Sequence, residues 1–302
     1  MNARYITADV FTDQRFGGNQ LAVFPDARDI PADLMPRIAR EFNYSETTFV
    51  LPPDDPSHTV RVRIFTPGGE LQFAGHPTVG TAHVLASIGA VRLTGPETRI
   101  VLEEGVGPVP VVIRSTNGKP TFAQLTAAKL PEVGPPPPSR KTLAAMLSLT
   151  SSEVIDGDVS PAGVSCGTPF LFIPLRDRAA IGKSRLKINL WESALANYYT
   201  KSVMVYAMDG ELPGSDVRAR MYAPDLGVGE DPATGSACVA LGGYLAERDS
   251  RPNGTLRWIV EQGFEMGRPS ILEVEADKKN GKVTAARVGG QTVLVCDGTM
   301  TV

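Results

Sequence analysis

Two stretches of the chain are apolar or small at nearly every position, which is typical of a helix that is buried on all sides. They are Thr78–Ile88 and Thr234–Leu245. The segments around each of them are mostly short apolar runs bounded by turn residues, typical of strands. The pattern therefore predicts an α+β fold, in which each half of the chain is a curved, mostly antiparallel sheet or barrel wrapped round one central helix.

The pattern predicts seven strands in each half, with helices at Ala32–Phe42, Thr78–Ser87, Lys141–Leu147, Leu190–Tyr198 and Thr234–Glu247. Four successive prolines, Pro135–Pro138, cannot continue a helix or donate to a sheet. We therefore predict an N-terminal domain at 1–128, a proline-rich linker at 129–138 and a C-terminal domain at 139–289.

The two halves share sequence motifs. Arg61–Pro67 and Arg218–Pro224 both have an Arg-x-Arg, an aliphatic residue, an aromatic residue, a small residue and then Pro. With a loop two residues shorter in the second half, His76–Ala82 aligns with Asp231–Ala237. Matches in the same order predict an internal duplication. Duplicated proteins often place a ligand where the copies meet, which makes a cleft between the domains the expected site.

Composition narrows the class of protein. The 302 residues are 42% hydrophobic and 21% charged, as in ordinary globular proteins, and the net charge of −3 argues against a nucleic-acid partner. Cys166, Cys238 and Cys296 lack the spacing of metal ligands and are expected to be reduced thiols. No signal peptide or membrane-spanning run is visible, so we expect a cytoplasmic protein with no membrane partner.

The predicted starts of the two buried helices are candidate anion sites. The first N–H groups of a helix have no partner within it, and those of Thr78, Gly80, Thr234 and Gly235 are expected to bind a carboxylate or a developing enolate. The alternative is a pair of ordinary helices capped by His76 and Asp231.

Glu46 is the candidate proton shuttle, because a carboxylate in a partly closed cleft has a raised pKa. A match of Gly18–Phe24 to Gly167–Ile173 places its counterpart near Lys201, so the second half lacks this carboxylate. The alternative is a solvated loop glutamate. His76 is a candidate hydrogen-bonding or acid/base group.

Ser236 lacks the frame of a nucleophile and is expected to bind the ligand. No metal-ligand spacing and no dinucleotide or phosphate-loop motif is present, so we expect neither metal nor cofactor.

Five segments resemble the phenazine-biosynthesis isomerase family (PhzF-like). They are Ala8–Thr12, Phe16–Val23, Ser45–Phe49, Phe73–Ala82 and Gly229–Ala237. The resemblance covers nearly the whole chain. It implies a diaminopimelate-epimerase-like fold and a cofactor-independent isomerase, usually a homodimer. It also implies that the last strand, about 290–302, is a candidate to return to the first domain.

The resemblance implies a set of site residues. The catalytic residues are Glu46, His76, Asp231 and Ser236. The resemblance also implies backbone contacts from Gly75 and Gly235. Together with these two glycines, we expect the substrate to be bound by Asn19, Thr78, Gly80, Thr81 and Thr234. The leading hypothesis is an isomerase that moves a proton, with or without a double bond, on a small carboxylic acid in the interdomain cleft.

Two alternatives stay open. An amino-acid or hydroxy-acid epimerase or racemase would need a second base, for which His76 is the candidate. Related epimerases use two cysteines, and the corresponding segments, Ala74–His76 and Asp231–Ala233, contain none. The other alternative is a non-catalytic small-molecule-binding protein of the same fold.

Overall fold

The computed structural model describes all 302 residues and divides them into two compact units. The first unit comprises Met1–Ala128 and Arg287–Val302, and the second comprises Lys129–Ala286. Each unit combines helices with a mixed sheet, so the predicted α+β class is confirmed. No helix is long and apolar enough to cross a membrane.

The helices are α1 Met35–Phe42, α2 Gly75–Ser87, α3 Arg140–Met146, α4 Arg178–Lys183, α5 Ile188–Ala194 and α6 Gly235–Arg248. The strands are β1 Asn2–Val10, β2 Asn19–Phe24, β3 Glu46–Leu51, β4 Val60–Thr66, β5 Gly69–Leu71, β6 Glu97–Glu104, β7 Gly107–Thr116, β8 Lys119–Thr126, β9 Glu132–Val133, β10 Ala162–Ser165, β11 Pro169–Pro174, β12 Val203–Ala207, β13 Val217–Ala223, β14 Val228–Asp231, β15 Gly254–Gln262, β16 Ser270–Lys279, β17 Lys282–Gly290 and β18 Thr292–Thr301.

In the first unit, β1 lies antiparallel between β2 and β18. The strand pairs β2–β3 and β4–β6 are parallel, with Leu21 opposite Glu46 and Val60 opposite Leu102. Strands β6, β7 and β8 form an antiparallel meander, and β17 pairs with β8 from Arg287 onward. Helix α2 packs against β1, β2, β3, β7 and β8 and is buried from Gly75 to Ala86.

The second unit repeats this pairing. Strand β10 is antiparallel to β11, β11 is parallel to β12, and β13 is parallel to β15, with Arg218 opposite Glu261. Helix α6 packs against β10, β11, β15 and β16. Only Ser236, Leu245 and the last two residues of α6 escape full burial, so the prediction of two buried helices is confirmed.

The equivalent positions of the two units differ from those expected from the sequence. Across the hairpin before each helix, Leu71 pairs with Ile64 and Asp231 pairs with Met221. The helix then begins four residues later in both units, at Gly75 and at Gly235. His76 is therefore equivalent to Ser236 and not to Asp231. The turn of the preceding hairpin, between β4 and β5 in the first unit and between β13 and β14 in the second, is longer in the second unit, so the shared Pro and Gly letters misled the alignment.

Several elements were not predicted. Strands β5, β10 and β14 and helix α4 have three to six residues each. Elements this short do not show a hydrophobic period in the sequence. Strand β9, Glu132–Val133, lies within the stretch assigned to a linker and pairs with Val164 and Ser165 of β10.

Gly80 allows α2 to approach the sheet closely. A Cβ atom there would lie 2.6 Å from Leu21 Cδ2 and 2.6 Å from Val10 Cγ2, and both of these side chains are fully buried. We expect Gly80→Ala to lower the free energy of unfolding by about 1–2 kcal/mol, because overpacking outweighs the gain in helix propensity. Urea unfolding measures the change. Gly69→Ala is the control: no atom lies within 4 Å of its Cβ position, and we expect a change below about 0.5 kcal/mol. Equal stability of the two variants would contradict this account.

Candidate active site

Three polar side chains of the first unit meet where β2, β3 and α2 begin. Asn19 is the first residue of β2, Glu46 is the first residue of β3, and His76 is the second residue of α2. Parallel pairing of β2 with β3 places Glu46 opposite Leu21, two residues beyond Asn19. Three elements that begin at one edge of the unit thus bring together residues that are far apart in sequence.

His76 lies between the other two residues. Its Nδ1 atom is 3.1 Å from the amide nitrogen Nδ2 of Asn19, and its Nε2 atom is 3.2 Å from Glu46 Oε2, without the alignment of a hydrogen bond. An amide nitrogen can only donate, so Nδ1 accepts from it. The neutral ring then carries its proton on Nε2, the side that faces Glu46.

Burial determines the charge of His76. The ring is 3% exposed, and burial lowers the pKa of His76 to about 3, an effect only partly opposed by the backbone of Gln20. The ring is therefore neutral near pH 7, and its contact with Glu46 is not an ion pair. The Glu46 side chain is 14% exposed, whereas its Oε2 atom, which faces His76, is buried.

The loop before Asn19 is conformationally constrained. Phe11, Phe16 and Gly18 all have positive φ angles, of 65°, 72° and 61°, and the N–H of Phe16 donates to Asp9 Oδ2 at 2.7 Å. A Cβ atom on Gly18 would lie 2.3 Å from the carbonyl oxygen of Val10. Positive φ at two phenylalanines is costly, and such strain clusters at functional sites. The loop delivers Asn19 to a defined position beside His76.

The second unit holds another polar group at the start of α6. The Thr234 hydroxyl donates to Asp231 Oδ2 at 2.6 Å. The Gln262 amide donates to the Asp231 carbonyl oxygen at 2.8 Å and to Thr234 Oγ1 at 3.0 Å, and accepts from the Thr234 N–H at 3.0 Å. Asp231 and Thr234 are each 7% exposed, whereas Ser236 is partly exposed on the first turn of α6.

The sequence matches a known protein family over nearly its whole length. The family model described as phenazine biosynthesis-like protein matches residues 8–298. The chain belongs to this family. An uncharacterised isomerase of Mesorhizobium japonicum is 40% identical over 297 residues, which is 97% of each chain. The trans-2,3-dihydro-3-hydroxyanthranilate isomerase of Pseudomonas aeruginosa is 34% identical over 299 residues, which is 98% of each chain.

A solved structure extends the comparison. The PhzF-family protein of Bacillus anthracis matches with a TM-score of 0.88 at 24% identity over 100% of both chains, which shows a shared fold. The predicted family resemblance and fold are confirmed. At the level of reaction class, the prediction of an isomerase is confirmed as well, since full-length relatives are named isomerases.

Three residues of the expected substrate-binding set make internal contacts in the first unit. The Thr78 hydroxyl contacts Ala74 and Glu104, and the Thr81 hydroxyl lies 2.9 Å from Thr48 Oγ1; both side chains are fully buried. Gly80 packs against β1 and β2. These groups make their contacts within the first unit.

The helix starts also differ from the sequence expectation. The N-cap residues are Ala74 and Thr234, and neither side chain caps its helix. His76 lies inside α2, Asp231 ends strand β14, and Pro232 precedes α6 by three residues. Neither His76 nor Asp231 is a cap. The N–H groups without an intrahelical partner belong to Gly75 and His76 in α2 and to Gly235, Ser236 and Ala237 in α6. Gly75 and Gly235 therefore stay candidates for ligand contact.

Two polar residues at the helix starts were missed by sequence reasoning. Glu104 ends β6 beside Thr78, and Gln262 ends β15 beside Thr234. Glu104 directly follows Glu103, and Gln262 directly follows Glu261. These two glutamates lie opposite the first arginine of each Arg-x-Arg motif. That repeated position is the signal that could have identified them, but it requires the strand pairing to be known.

The Cys238 thiol lies 3.9 Å from Gln262 Oε1, beside the polar group at the start of α6. Cys166 and Cys238 are buried; burial raises the pKa of Cys166 to about 12, and burial also raises the pKa of Cys238. No group of three or more His, Cys, Asp or Glu side chains is arranged to hold a metal ion.

The buried ring of His83 is expected to make the fold less stable in acid. It is 4% exposed on α2, and burial lowers the pKa of His83 to about 4, against 6.5 for an exposed ring. A depressed pKa gives stability above pH 6.5 that is lost as the pH falls toward 4, at about 1.4 kcal/mol per pH unit. Burial lowers the pKa of His76 as well, so we expect His83→Leu to make the pH dependence of the free energy of unfolding shallower by about 1.4 kcal/mol per pH unit between pH 6 and pH 4 in urea unfolding, while the share of His76 remains. An unchanged slope in the variant would exclude His83 as a source of acid lability.

Proposed function

We propose that this protein is an isomerase that moves a proton on a small, unsaturated carboxylic acid, with Glu46 as the proton shuttle. The observation that carries the proposal is the group of Asn19, Glu46 and His76. The carboxyl group of a partly exposed glutamate side chain lies 3.2 Å from a buried imidazole whose other nitrogen contacts an amide. A positioned carboxylate is a common general base.

The proposed reaction begins with a C–H bond next to a conjugated system. Glu46 accepts the proton, and the electron pair of the broken bond enters the conjugated system as an enolate-like anion. The double bonds shift, and the protonated Glu46 returns the proton to a different carbon of the same molecule. Atoms and electrons balance without any additional reactant.

His76 has a supporting role in this scheme. As a neutral ring with its proton on Nε2, it can donate a hydrogen bond to Glu46 or to an oxygen of the substrate. Its low pKa makes it a weak base. The runner-up reaction, an epimerisation with His76 as the second base, is disfavoured for this reason.

The second unit offers no replacement base of the same kind. Leu171 lies opposite Val203, as Ala22 lies opposite Thr47, so the counterpart of Glu46 is Ser202. The thiols of the second unit are buried. A single carboxylate that removes and returns the proton fits these residues better than two bases on opposite faces of one carbon.

We propose that the carboxylate of the substrate binds at a helix start. The N–H groups of Gly75 and His76, and those of Gly235 and Ser236, are directed out of the first turns of α2 and α6. We propose that Ser236 and Asp231 contact the same substrate molecule. We also infer that the units arose by duplication, which is supported by their matching strand pairings.

The relative in P. aeruginosa suggests the substrate class. Its name specifies an isomerase of trans-2,3-dihydro-3-hydroxyanthranilate, a cyclic, unsaturated amino acid with a hydroxyl group. We propose that this protein acts on a compound of that class, and that compound is the first probe.

Glu46→Gln tests the shuttle. The amide keeps the shape of the side chain but cannot accept a proton from carbon, so we expect turnover to fall by about 10²–10⁴-fold. Wild type and variant are incubated in heavy water with trans-2,3-dihydro-3-hydroxyanthranilate, and separately with a bacterial metabolite extract. Mass spectrometry with chromatographic separation detects deuterium uptake and same-formula products.

Glu41→Gln is the matched control, because Glu41 is an exposed carboxylate on α1 of the same unit, and we expect it to retain full activity. Full turnover by Glu46→Gln would refute the shuttle. Tight binding of the probe by wild type without product or deuterium uptake would favour a non-catalytic binding protein.

A further inference from the structure

Glu104 is a buried carboxyl group at the base of the helix that carries His76. It is the last residue of β6 and is 7% exposed. Its Oε1 atom lies 2.5 Å from the Thr78 hydroxyl, which also lies 2.6 Å from the carbonyl oxygen of Ala74. Ala74 is the N-cap of α2, two residues before His76.

The Ala74 carbonyl oxygen, the Thr78 hydroxyl and Glu104 Oε1 form a chain of two short contacts. The Ala74 carbonyl oxygen can only accept, and a threonine hydroxyl has one proton to donate. Two contacts as short as these require two protons. If Thr78 donates to Ala74, the second proton must come from Glu104 as a carboxylic acid. A carboxylate there would leave two lone pairs facing each other across one contact.

The other oxygen of Glu104 supports the same conclusion. Glu104 Oε2 is buried and has no hydrogen-bond partner. An ionised carboxylate with an unpartnered buried oxygen is costly, whereas the carbonyl oxygen of a neutral acid tolerates this position at a much lower cost.

The second unit has a neutral residue at the equivalent position. Gln262 occupies the position equivalent to Glu104, one residue after Glu261, just as Glu104 follows Glu103. Its amide donates to Thr234, the equivalent of Ala74, and its oxygen lies 3.9 Å from the thiol of Cys238, the equivalent of Thr78. A donor at this strand end holds the start of the central helix in both units.

We propose that Glu104 is a positioning residue that is kept protonated, and that it holds the first turn of α2, and with it His76, through Thr78 and Ala74. The functional part of this proposal rests on the role of His76 proposed above. The protonation of Glu104 does not, and can be measured without a substrate.

The charged groups that face Glu104 do not favour its ionised form. A polar cavity of about 300 Å³ is lined by Glu104 together with Asp54, Arg61, Arg63 and Glu70. Arg61 pairs with Asp54 at 2.7 Å and Arg63 pairs with Glu70 at 2.7 Å.

The remaining neighbours are also compensated or neutral. On β6, Glu103 contacts His58 at 2.7 Å. On α2, burial lowers the pKa values of His76 and His83 far enough that both rings are neutral near pH 7. No unpaired cation is placed to stabilise a carboxylate at Glu104.

Ionisation of Glu104 is expected to weaken the start of α2 as the pH rises. Burial raises the pKa of Glu104 to about 8, against 4.5 for an exposed glutamate. Ionisation above that pH removes the proton that Thr78 requires. A raised folded-state pKa gives stability that is present in full below pH 4.5 and is lost as the pH rises toward 8.

The first test compares the pH profiles of kcat/KM for wild type, Glu104→Gln and Glu104→Ala, with trans-2,3-dihydro-3-hydroxyanthranilate as the substrate. The amide donates to Thr78 but does not titrate, so we expect Glu104→Gln to retain activity within a few-fold at pH 7. Above pH 8, wild type should lose about tenfold per pH unit while the glutamine variant does not. Glu104→Ala should be impaired at every pH. The proposal is overturned if wild type and Glu104→Gln share the same alkaline limb, or if glutamine is no better than alanine at pH 7.

The second test needs no substrate. The melting temperature of Glu104→Gln relative to wild type should rise as the pH increases from 4.5 to 8 and then level off, because only wild type carries the buried titrating acid. Glu97→Gln, an exposed carboxylate at the start of the same strand, is the control and should follow wild type. A constant melting-temperature difference between Glu104→Gln and wild type would overturn the protonated state. A pH-dependent difference combined with full activity of Glu46→Gln would instead refute only the proposed shuttle.

Discussion

The structure of the first unit depends on how the start of a fully buried helix is satisfied. Helix α2 is surrounded by strands and begins with N–H groups that have no partner within the helix. It has no capping side chain, because Ala74 occupies the N-cap. Hydrogen bonds from the end of β6 and from Thr78 hold this turn instead. The N–H groups of Gly75 and His76 lie at an edge where β2 and β3 also begin, and we propose that they bind the ligand.

Burial has a second consequence, which concerns charge. The same packing that orders α2 removes water from His76 and His83 and favours the neutral form of both rings. It removes water from Glu104 as well, and there it favours the protonated acid. One cause thus lowers two pKa values and raises a third. Desolvation opposes charge of either sign, so His76, His83 and Glu104 act as neutral donors and acceptors.

The sequence predicted the parts of this arrangement that leave a local pattern. The two buried helices were visible because they lack a polar face, and Glu46, His76 and Asp231 were identified from short motifs. The equivalence of His76 with Ser236 was missed, because matching letters were aligned across a loop that differs in length between the units. Glu104 and Gln262 were missed for a different reason: their partners lie 26 and 28 residues away and are brought together only by strand pairing.

The difference between Glu104 and Gln262 bears on why one chain uses two solutions at equivalent positions. In the second unit, the group to be held is the N–H and hydroxyl of Thr234, which require an acceptor and a donor, and an amide supplies both. In the first unit, Ala74 has no side-chain oxygen and the hydroxyl is one turn further on, at Thr78, so only a donor is required. A protonated carboxyl group supplies that donor, but only while it is not ionised. The first unit therefore couples the position of its helix start to pH, whereas the second unit, held by an amide, does not.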